Sequence, residues 1–209
     1  MNLDELRNQF AEVFLLALKK RDAYTQEHSS RVALIAREIS MEMRLGGISA
    51  KKIVLAAKLH DIGKIGISDV ILLKRGKLDD DEYRIIKTHP ELGAGMLDKI
   101  SMFSDIKPLV LLHHERFDGK GYPYGLKENE IPVESKIIGI VDAVDAMLSR
   151  RPYKNPMPVS AVIDEIENNK GKQFDPYIAN KALKVLKNYK DVFAETVPME
   201  ILQGGGCGL

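Results

Sequence analysis

The sequence predicts an all-α protein, and three observations support this fold class. Apolar residues recur every three or four positions over most of the chain, the spacing that places them on one face of a helix. No segment shows the sustained apolar and polar alternation of a half-buried strand. No repeat or low-complexity linker divides the 209 residues. We therefore predict a single domain over residues 1–192 and an irregular C-terminal tail over residues 193–209.

The predicted helices follow one another along the chain. Gly46 and Gly47 break the pattern after the second helix. Pro90 suits a first helical turn, and Glu91 suits the positive end of that helix. Residues 116–132 contain three glycines and two prolines, which predicts an ordered loop. The helices are predicted at residues 3–18, 31–39, 51–59, 79–88, 90–100, 104–115, 134–149, 159–168 and 176–189.

Composition excludes several classes of partner. Thirty-one basic residues nearly balance thirty acidic ones, so no global field would hold a long nucleic acid or a membrane surface. An anionic substrate must be bound locally. The single cysteine, Cys207, allows no internal disulfide and no thiolate metal site. We see no secretory signal and no apolar run that could cross a bilayer, so we expect a cytoplasmic protein.

Histidines and aspartates stand at helix ends or on otherwise apolar helices. A lone histidine in such a place is ordinarily a hydrogen-bonded core or surface residue. His60 and Asp61, however, end the most apolar helix, where an ionised carboxylate without a counter-charge is unfavourable. Imidazole and carboxylate together suit iron, manganese or zinc better than calcium. The full candidate set is His28, His60, Asp61, His89, His113, His114 and Asp142.

Five imidazoles and two carboxylates exceed what one tetrahedral metal site needs. Two metals that share a bridging carboxylate match this count. Two ions about 3.5–4 Å apart can activate water and neutralise phosphoryl oxygens during an in-line displacement. The inventory therefore favours hydrolysis of a phosphate ester.

Together with neighbouring motifs, these residues resemble a known family. The motifs appear in the order His28, HDIGK at residues 60–64, His89-Pro90, His113-His114-Glu115, DGKGYP at residues 118–123, VDAVDAM at residues 141–147 and RPYK at residues 151–154. This ordered set, within residues 21–176, resembles the HD-GYP subgroup of the HD phosphohydrolase superfamily.

The resemblance implies an HD-domain helical bundle with a metal centre in its core. It implies a phosphodiesterase that hydrolyses cyclic di-GMP to linear pGpG, to GMP or to both, by attack of a metal-activated hydroxide on phosphorus. Two divalent ions are the implied cofactors. Iron or manganese is expected first, and zinc, nickel and magnesium are also compatible.

The resemblance also assigns roles by position. One metal would be held by His28, His60, Asp61 and Asp142, and the second would be completed by His89, His113 and His114. Asp61 would be the bridging catalytic carboxylate. Lys64 is similar to the lysine that contacts the scissile phosphate, and Tyr122 belongs to the loop that names the family. Arg151 and Lys154 match basic residues that hold substrate phosphate or guanine. Without the resemblance, these cations would be ordinary charges at helix ends.

One position departs from the family pattern. Members that bind a third metal carry a glutamate four residues before the first histidine, where this chain has Tyr24. Glu27 points to a different face of the helix and cannot substitute for it. We therefore expect two metals. Asp145 and Glu115 are expected to orient metal ligands rather than to bind metal.

Other functions fit the same residues. The rival reactions are hydrolysis of a mononucleotide and oxidation at a di-iron centre. A rival of another class is a module that binds a cyclic dinucleotide without cleaving it. Beyond the cyclic dinucleotide substrate, the first helix could form a homodimer or dock on a regulatory partner domain.

Overall fold

The computed structural model describes residues 2–149 and 155–188 and confirms the all-α prediction. Within those ranges the chain forms ten α-helices and no strand, with only isolated bridges between Asp118 and Lys127 and between Lys170 and Phe174. The helices are α1 (Leu3–Arg21), α2 (Ala23–Glu42), α3 (Gly47–Leu59), α4 (Asp69–Leu72), α5 (Asp80–Ile86), α6 (His89–Leu97), α7 (Lys107–Leu111), α8 (Val133–Leu148), α9 (Val159–Asn168) and α10 (Pro176–Lys187).

Side-chain caps set the starts of α1 and α2. The Asn2 side chain accepts a hydrogen bond from the Glu5 backbone N–H, and the Glu5 side chain accepts one from the Asn2 backbone N–H. This capping box satisfies donors that have no partner inside the helix. The Asp22 carboxylate accepts from the Tyr24 N–H and begins α2 in the same way.

The second helix is longer than predicted. It was expected over residues 31–39 with His28 on its first turn, but α2 begins at Ala23 and His28 lies on its second turn. Polar residues at the start of α2 hide the apolar period there, and the cap at Asp22 is the only local signal for its true start.

Helix α2 lies at the centre of the core and packs against α1, α3, α8 and α10. Its Ile35, Ala36 and Ile39 side chains are buried. Each large aliphatic side chain contributes about 1.5–3 kcal/mol when it is fully buried. The metal-ligand candidates on or beside α2, α3 and α8 are therefore attached to well-anchored elements.

The turn that follows α3 packs closely against α6. Helix α3 starts at Gly47, earlier than residue 51, so the glycine pair begins this helix instead of only separating two helices. After His60 and Asp61 the chain continues as a 3₁₀ segment, Ile62–Gly66, which periodicity did not predict because it is too short. A Cβ atom on Gly63 would lie 1.9 Å from the His89 carbonyl oxygen. Glycine is thus required for this close approach of the turn to α6.

The prediction of one helix over residues 104–115 was wrong. The segment contains the short helix α7, preceded by a 3₁₀ turn at Ser101–Phe103. Helix α7 ends at Leu111 because Leu112 leaves helical geometry, with φ −108° and ψ 9°. This early end releases His113 and His114 from the helix. The other predicted helices are confirmed within a few residues as far as Lys187.

Residues 116–132 form the predicted loop, with a short 3₁₀ turn at Glu128–Glu130. Among the described residues, no helix is both long and apolar enough to cross a membrane. Arg151, Lys154 and the predicted tail over residues 193–209 lie outside the described residues.

Candidate metal centre

The structure brings the seven predicted metal ligands together in one cluster. Helix α2 carries His28, α8 carries Asp142, and the turn after α3 carries His60 and Asp61. His89 is the first residue of α6, and the His113-His114 pair follows α7. Five members are almost completely buried, namely His28, His60, Asp61, His89 and His113.

Three of the histidines are held by the same kind of local contact. The Nδ1 atoms of His60, His89 and His113 lie 2.7, 2.8 and 2.6 Å from backbone carbonyl oxygens three residues earlier. A carbonyl oxygen only accepts hydrogen bonds, so each Nδ1 carries a proton. When such a ring is neutral, its Nε2 atom presents a lone pair to the centre of the cluster.

One group of donors consists of His28, His60 and Asp142. The His28 Nε2 atom lies 3.3 Å from His60 Nε2 and 3.1 Å from Asp142 Oδ1. Ligand atoms about 2.0–2.2 Å from one metal ion are about 2.8–3.6 Å apart at octahedral or tetrahedral angles. The observed spacing therefore fits one cation.

A second group consists of His89, His113 and His114, with ligand atoms all within 4.8 Å of one another. The Nε2 atoms of His89 and His113 are 3.4 Å apart. His114 is the more accessible member, and its ring lies 4.0 Å from the His113 ring, between centroids. This group also has the composition and spacing of a metal site.

Asp61 lies between the two groups. Its Oδ1 atom is 3.2 Å from His89 Nε2, and its Oδ2 atom is 3.3 Å from His60 Nε2. The two oxygens of one carboxylate thus face opposite donor groups. This arrangement is what a bridging ligand requires.

The protonation states of the second group of donors favour a bound cation. Burial lowers the pKa of His89 to about 3 and that of His114 to about 4, and it holds the pKa of His113 well below its usual range. His89 and His113 are therefore neutral near pH 7 and face each other with bare Nε2 lone pairs, which cannot hydrogen-bond to one another. A positive ion between them would remove this repulsion.

The carboxylates remain ionised despite their burial. Burial raises the pKa of Asp61, but Lys64 and His60 outweigh it and hold that pKa well below the usual value. Burial also raises the pKa of Asp142, and contacts with His28 reverse that effect. For His28, burial lowers the pKa, but hydrogen bonds with Asp142 and Asp145 raise it to about 9. A metal bound at His28 would therefore displace a proton.

Asp145 orients His28 from the side away from the cluster. Its Oδ2 atom accepts a hydrogen bond of 2.7 Å from His28 Nδ1, in agreement with the role expected of it. Arg31 donates to both Asp145 oxygens, at 2.7 and 3.0 Å, and Ser149 donates at 3.1 Å. Arg31 was not identified from the sequence, although its place three residues after His28 puts both on one helix face.

Glu115 does not orient a metal ligand, contrary to expectation. Its carboxylate accepts hydrogen bonds from the backbone N–H groups of Tyr124, Gly125 and Leu126, at 2.7, 3.1 and 3.0 Å. Glu115 thereby fastens the 116–132 loop to the residues that follow α7. The expectation was wrong because the folded 116–132 loop places three backbone N–H groups within hydrogen-bonding distance of this carboxylate, and the sequence does not reveal that arrangement.

The fastened loop places Tyr122 over the second donor group. The Tyr122 ring stacks on His114 with centroids 4.6 Å apart and an interplanar angle of 27°. The Lys87 ammonium lies 5.5 Å from the Tyr122 ring centroid and 4.5 Å from that of Tyr83. Neither Lys87 nor Tyr83 was identified from the sequence.

A cavity of about 370 Å³ opens beside the cluster and is lined by His113, His114, Tyr122 and Asp142. This volume is in the range of about 300–1,000 Å³ typical of small-molecule sites. A larger cavity, about 490 Å³, lies between α1 and α3, away from the histidines. Since the smaller cavity adjoins the donor groups, it is the candidate substrate site. Its basic lining residues are Lys87, Arg116, Lys120 and Lys136.

Tyr24 occupies the position that departs from the family pattern. Its ring stacks on His28, with centroids 6.2 Å apart and an interplanar angle of 6°. The described structure therefore has an aromatic ring at this place beside His28, where a third metal would need a carboxylate.

Known proteins resemble this chain in sequence and in fold. The model of a family described as "HD domain" matches residues 12–178. A cyclic di-GMP phosphodiesterase of Thermotoga maritima is 41% identical over 199 residues, which are 93% of this chain and 54% of that protein. The 3'3'-cGAMP-specific phosphodiesterase 3 of Vibrio cholerae is 34% identical over 175 residues, covering 84% of this chain and 38% of that protein.

A solved structure shares the fold. It is described as a cyclic GMP-AMP specific phosphodiesterase of Vibrio cholerae and superposes with a TM-score of 0.69 at 17% identity, covering 96% of this chain and 53% of that one. This chain spans about half the length, or less, of the curated relatives that it matches. The family match covers most of the chain and confirms the resemblance found in the motifs, so the chain belongs to the HD domain family.

Proposed function

We propose that this chain is a metal-dependent phosphodiesterase that hydrolyses a cyclic dinucleotide, with cyclic di-GMP as the expected substrate. The observation that carries the proposal is the placement of the Asp61 carboxylate between two groups of imidazole and carboxylate donors. The name of the Thermotoga maritima relative supports cyclic di-GMP.

HD-domain phosphohydrolases depend on metals, and we propose that this chain binds two divalent ions. One would be held by His28, His60, Asp61 and Asp142, and the other by His89, His113 and His114 together with Asp61. Iron or manganese suits this mixed ligation best, and zinc, nickel and magnesium are compatible. When bound, the ions would supply Lewis-acid activation of water and neutralise charge on the phosphoryl oxygens.

Lys64 is proposed as a catalytic residue together with Asp61. Its ammonium lies 2.6 Å from Asp61 Oδ2, and its side chain is partly accessible while the carboxylate is buried. A positive charge beside the Asp61 carboxylate can donate a hydrogen bond to a phosphoryl oxygen as negative charge develops there. Asp61 stays ionised beside this lysine and provides the shared carboxylate.

Tyr122 is proposed as a substrate contact. It is held against His114 at the wall of the cavity, where one aromatic face can stack on a purine base. Lys87 lines the same cavity and adds positive charge for a phosphate. Arg151 and Lys154 stay predicted substrate contacts that lie outside the described residues.

Location and partners belong to the same proposal. A single cysteine is compatible with the reducing cytoplasm, where we expect this protein to act. Its basic and acidic residues nearly balance, so the chain has no net positive charge that would bind long nucleic acids. The expected small-molecule partner is the cyclic dinucleotide. A regulatory partner domain is also proposed, since the curated relatives are longer than this chain.

The test is a turnover assay of the protein loaded with Mn²⁺, or with Fe²⁺ without oxygen. Cyclic di-GMP, 3'3'-cGAMP and a mononucleotide should be compared, and pGpG and GMP should both be followed as products. We expect cyclic di-GMP to be cleaved fastest. Hydrolysis of the mononucleotide alone would disprove the substrate class, and tight binding without turnover would identify a binding module instead.

Metal analysis of anaerobically purified protein provides a second test. Two ions per chain are expected. One or three ions per chain would contradict the proposed division of the ligands. The identity of the metal follows from the same measurement.

A further inference from the structure

Two helices hold the short segment that carries Lys64. This segment, the Lys64 turn, is the 3₁₀ stretch Ile62–Gly66 that follows Asp61. Gly63 lies so close to α6 that a Cβ atom there would be 1.9 Å from the His89 carbonyl oxygen. The Lys64 turn also contacts α1. The backbone from which the Lys64 ammonium extends is therefore positioned by both α1 and α6.

The contact with α1 is made by Arg21, in the last turn of that helix. Its guanidinium donates hydrogen bonds to the carbonyl oxygens of Ile65 and Ile67, at 2.8 Å for Ile67, and to the Asp69 carboxylate. The planar fork of a guanidinium presents several donors in a fixed geometry, which a lysine ammonium does not. Arg21 thus bonds the backbone one residue and three residues after Lys64.

Backbone hydrogen bonds connect the atoms that Arg21 holds to Lys64 itself. The Ile67 N–H donates to the Lys64 carbonyl at 3.1 Å, and the Lys64 N–H donates to the Asp61 carbonyl at 3.0 Å. The Lys64 ammonium lies 2.6 Å from Asp61 Oδ2. A displacement of Ile67 would therefore move Lys64 relative to the carboxylate that lies between the two donor groups.

We infer that Arg21 is a positioning residue for Lys64. The inference rests on the proposed function, in which the Lys64 ammonium donates to a phosphoryl oxygen. None of the three acceptors of Arg21 is a metal-ligand candidate or lines the candidate substrate cavity. Arg21 should consequently act by holding the Lys64 turn in place, and a misplacement of about 1 Å can lower a rate about 100-fold.

Arg21→Gln should lower kcat and leave substrate binding and metal content unchanged. The neutral amide cannot span both carbonyl oxygens, so we expect kcat of the Mn²⁺-loaded protein to fall about 10- to 100-fold. KM and the number of bound ions should stay at their wild-type values. Arg37→Gln, which removes an exposed arginine paired with Glu38 on α2, is the matched control and should keep the wild-type kcat. An equal loss of kcat in both variants would overturn the inference.

Arg21→Lys separates the fork of donors from the positive charge. It keeps the charge but offers a single nitrogen, so its kcat should lie between those of Arg21→Gln and the wild type. Complete recovery of kcat would overturn the inference, because charge alone would then be sufficient.

Hydrogen exchange tests the same contact without turnover. In Arg21→Gln, the N–H groups of Lys64 and Ile67 should exchange about 10-fold faster or more, because the turn opens more often. The N–H groups of α8 should keep their wild-type exchange, which shows that the rest of the fold is intact. Unchanged exchange at Lys64 and Ile67 would overturn the inference, and so would equally faster exchange throughout α8. A wild type that cleaves no cyclic dinucleotide would contradict the proposed function alone, since the exchange result does not depend on turnover.

Discussion

His89 and His113 face each other with their Nε2 atoms 3.4 Å apart. Each ring uses its Nδ1 proton on a backbone carbonyl, and burial keeps both rings neutral near pH 7. Two such lone pairs cannot hydrogen-bond to each other, and a cation coordinated by both nitrogens would hold the two rings together. Metal binding and stability of the fold should consequently be linked.

Replacing His89 by alanine should remove one of the two bound ions. Mn²⁺ at 100 times its dissociation constant stabilises a protein by about 2.7 kcal/mol, so the wild-type Tm should rise with added metal and that of the variant should rise less. Metal analysis and thermal unfolding measure both effects. Leu92→Ala, on the exposed side of the same helix, is the control. Retention of two ions by His89→Ala would refute the role of this ligand.

Asp145→Ala should weaken metal binding at His28. The substitution removes the acceptor that orients the His28 ring, and loss of such a partner typically lowers metal affinity about 10- to 100-fold. Competition with a metal-binding dye measures the affinity. Ser149→Ala removes only a donor to the same carboxylate and should have a much smaller effect. Equal affinities in the wild type and Asp145→Ala would show that His28 needs no such support.

Lys64→Ala should retain both ions but lose turnover. Because the lysine is proposed to stabilise developing charge on the phosphate, we expect kcat to fall about 100- to 1,000-fold. Steady-state kinetics and metal analysis should be carried out on the same preparation. Lys64→Arg keeps the charge and should recover part of the rate. A wild-type rate in Lys64→Ala would remove this residue from the mechanism.

Gly139→Ala should disturb the cluster without touching a ligand directly. A Cβ atom at residue 139 would lie 2.6 Å from the His113 carbonyl oxygen, so α8 and His113 must move apart. We expect weaker metal binding and a lower Tm. Gly95→Ala on α6 meets no atom within 4 Å and should be neutral or slightly stabilising. Similar metal affinity in both variants would contradict the close-packing argument.

Asp175 should make stability depend on acid pH. Its carboxylate accepts from the Tyr177 and Ile178 N–H groups at the start of α10 and pairs with Lys136 at 2.9 Å. Burial raises the pKa of Asp175, but Lys136 and the two amides outweigh it and lower that pKa below 3.8. The ionised form is therefore favoured in the folded state, and its contribution is complete above pH 3.8 and disappears as pH falls through the lowered pKa.

Asp175→Ala should accordingly reduce the free energy of unfolding by about 1–2 kcal/mol at pH 7. Urea unfolding at pH 7 and at pH 3 measures this difference. It should shrink at the lower pH, because the Asp175 carboxylate of the unfolded chain binds a proton below its ordinary pKa of 3.8 more readily than that of the folded chain. A difference that is constant with pH would show that the charge of Asp175 does not contribute.

Local sequence patterns were enough to predict the all-α class and most helix positions, because the apolar period and the turn residues are properties of short segments. They failed where short segments depend on distant contacts. The chain leaves helical geometry at Leu112, and the 3₁₀ turn after Asp61 packs against α6 through Gly63. Neither feature has a local period long enough to read.

The sequence by itself determined which side chains could hold metal and, through its motifs, which family they belong to. Only the tertiary structure decided which donors face each other and which carboxylate lies between them. It also decided that Arg31 supports His28 through Asp145 and that Glu115 holds the 116–132 loop. The reason is that ligand type is a property of a residue, whereas distances between residues far apart in the chain are set by packing of α2, α3 and α8 around one core.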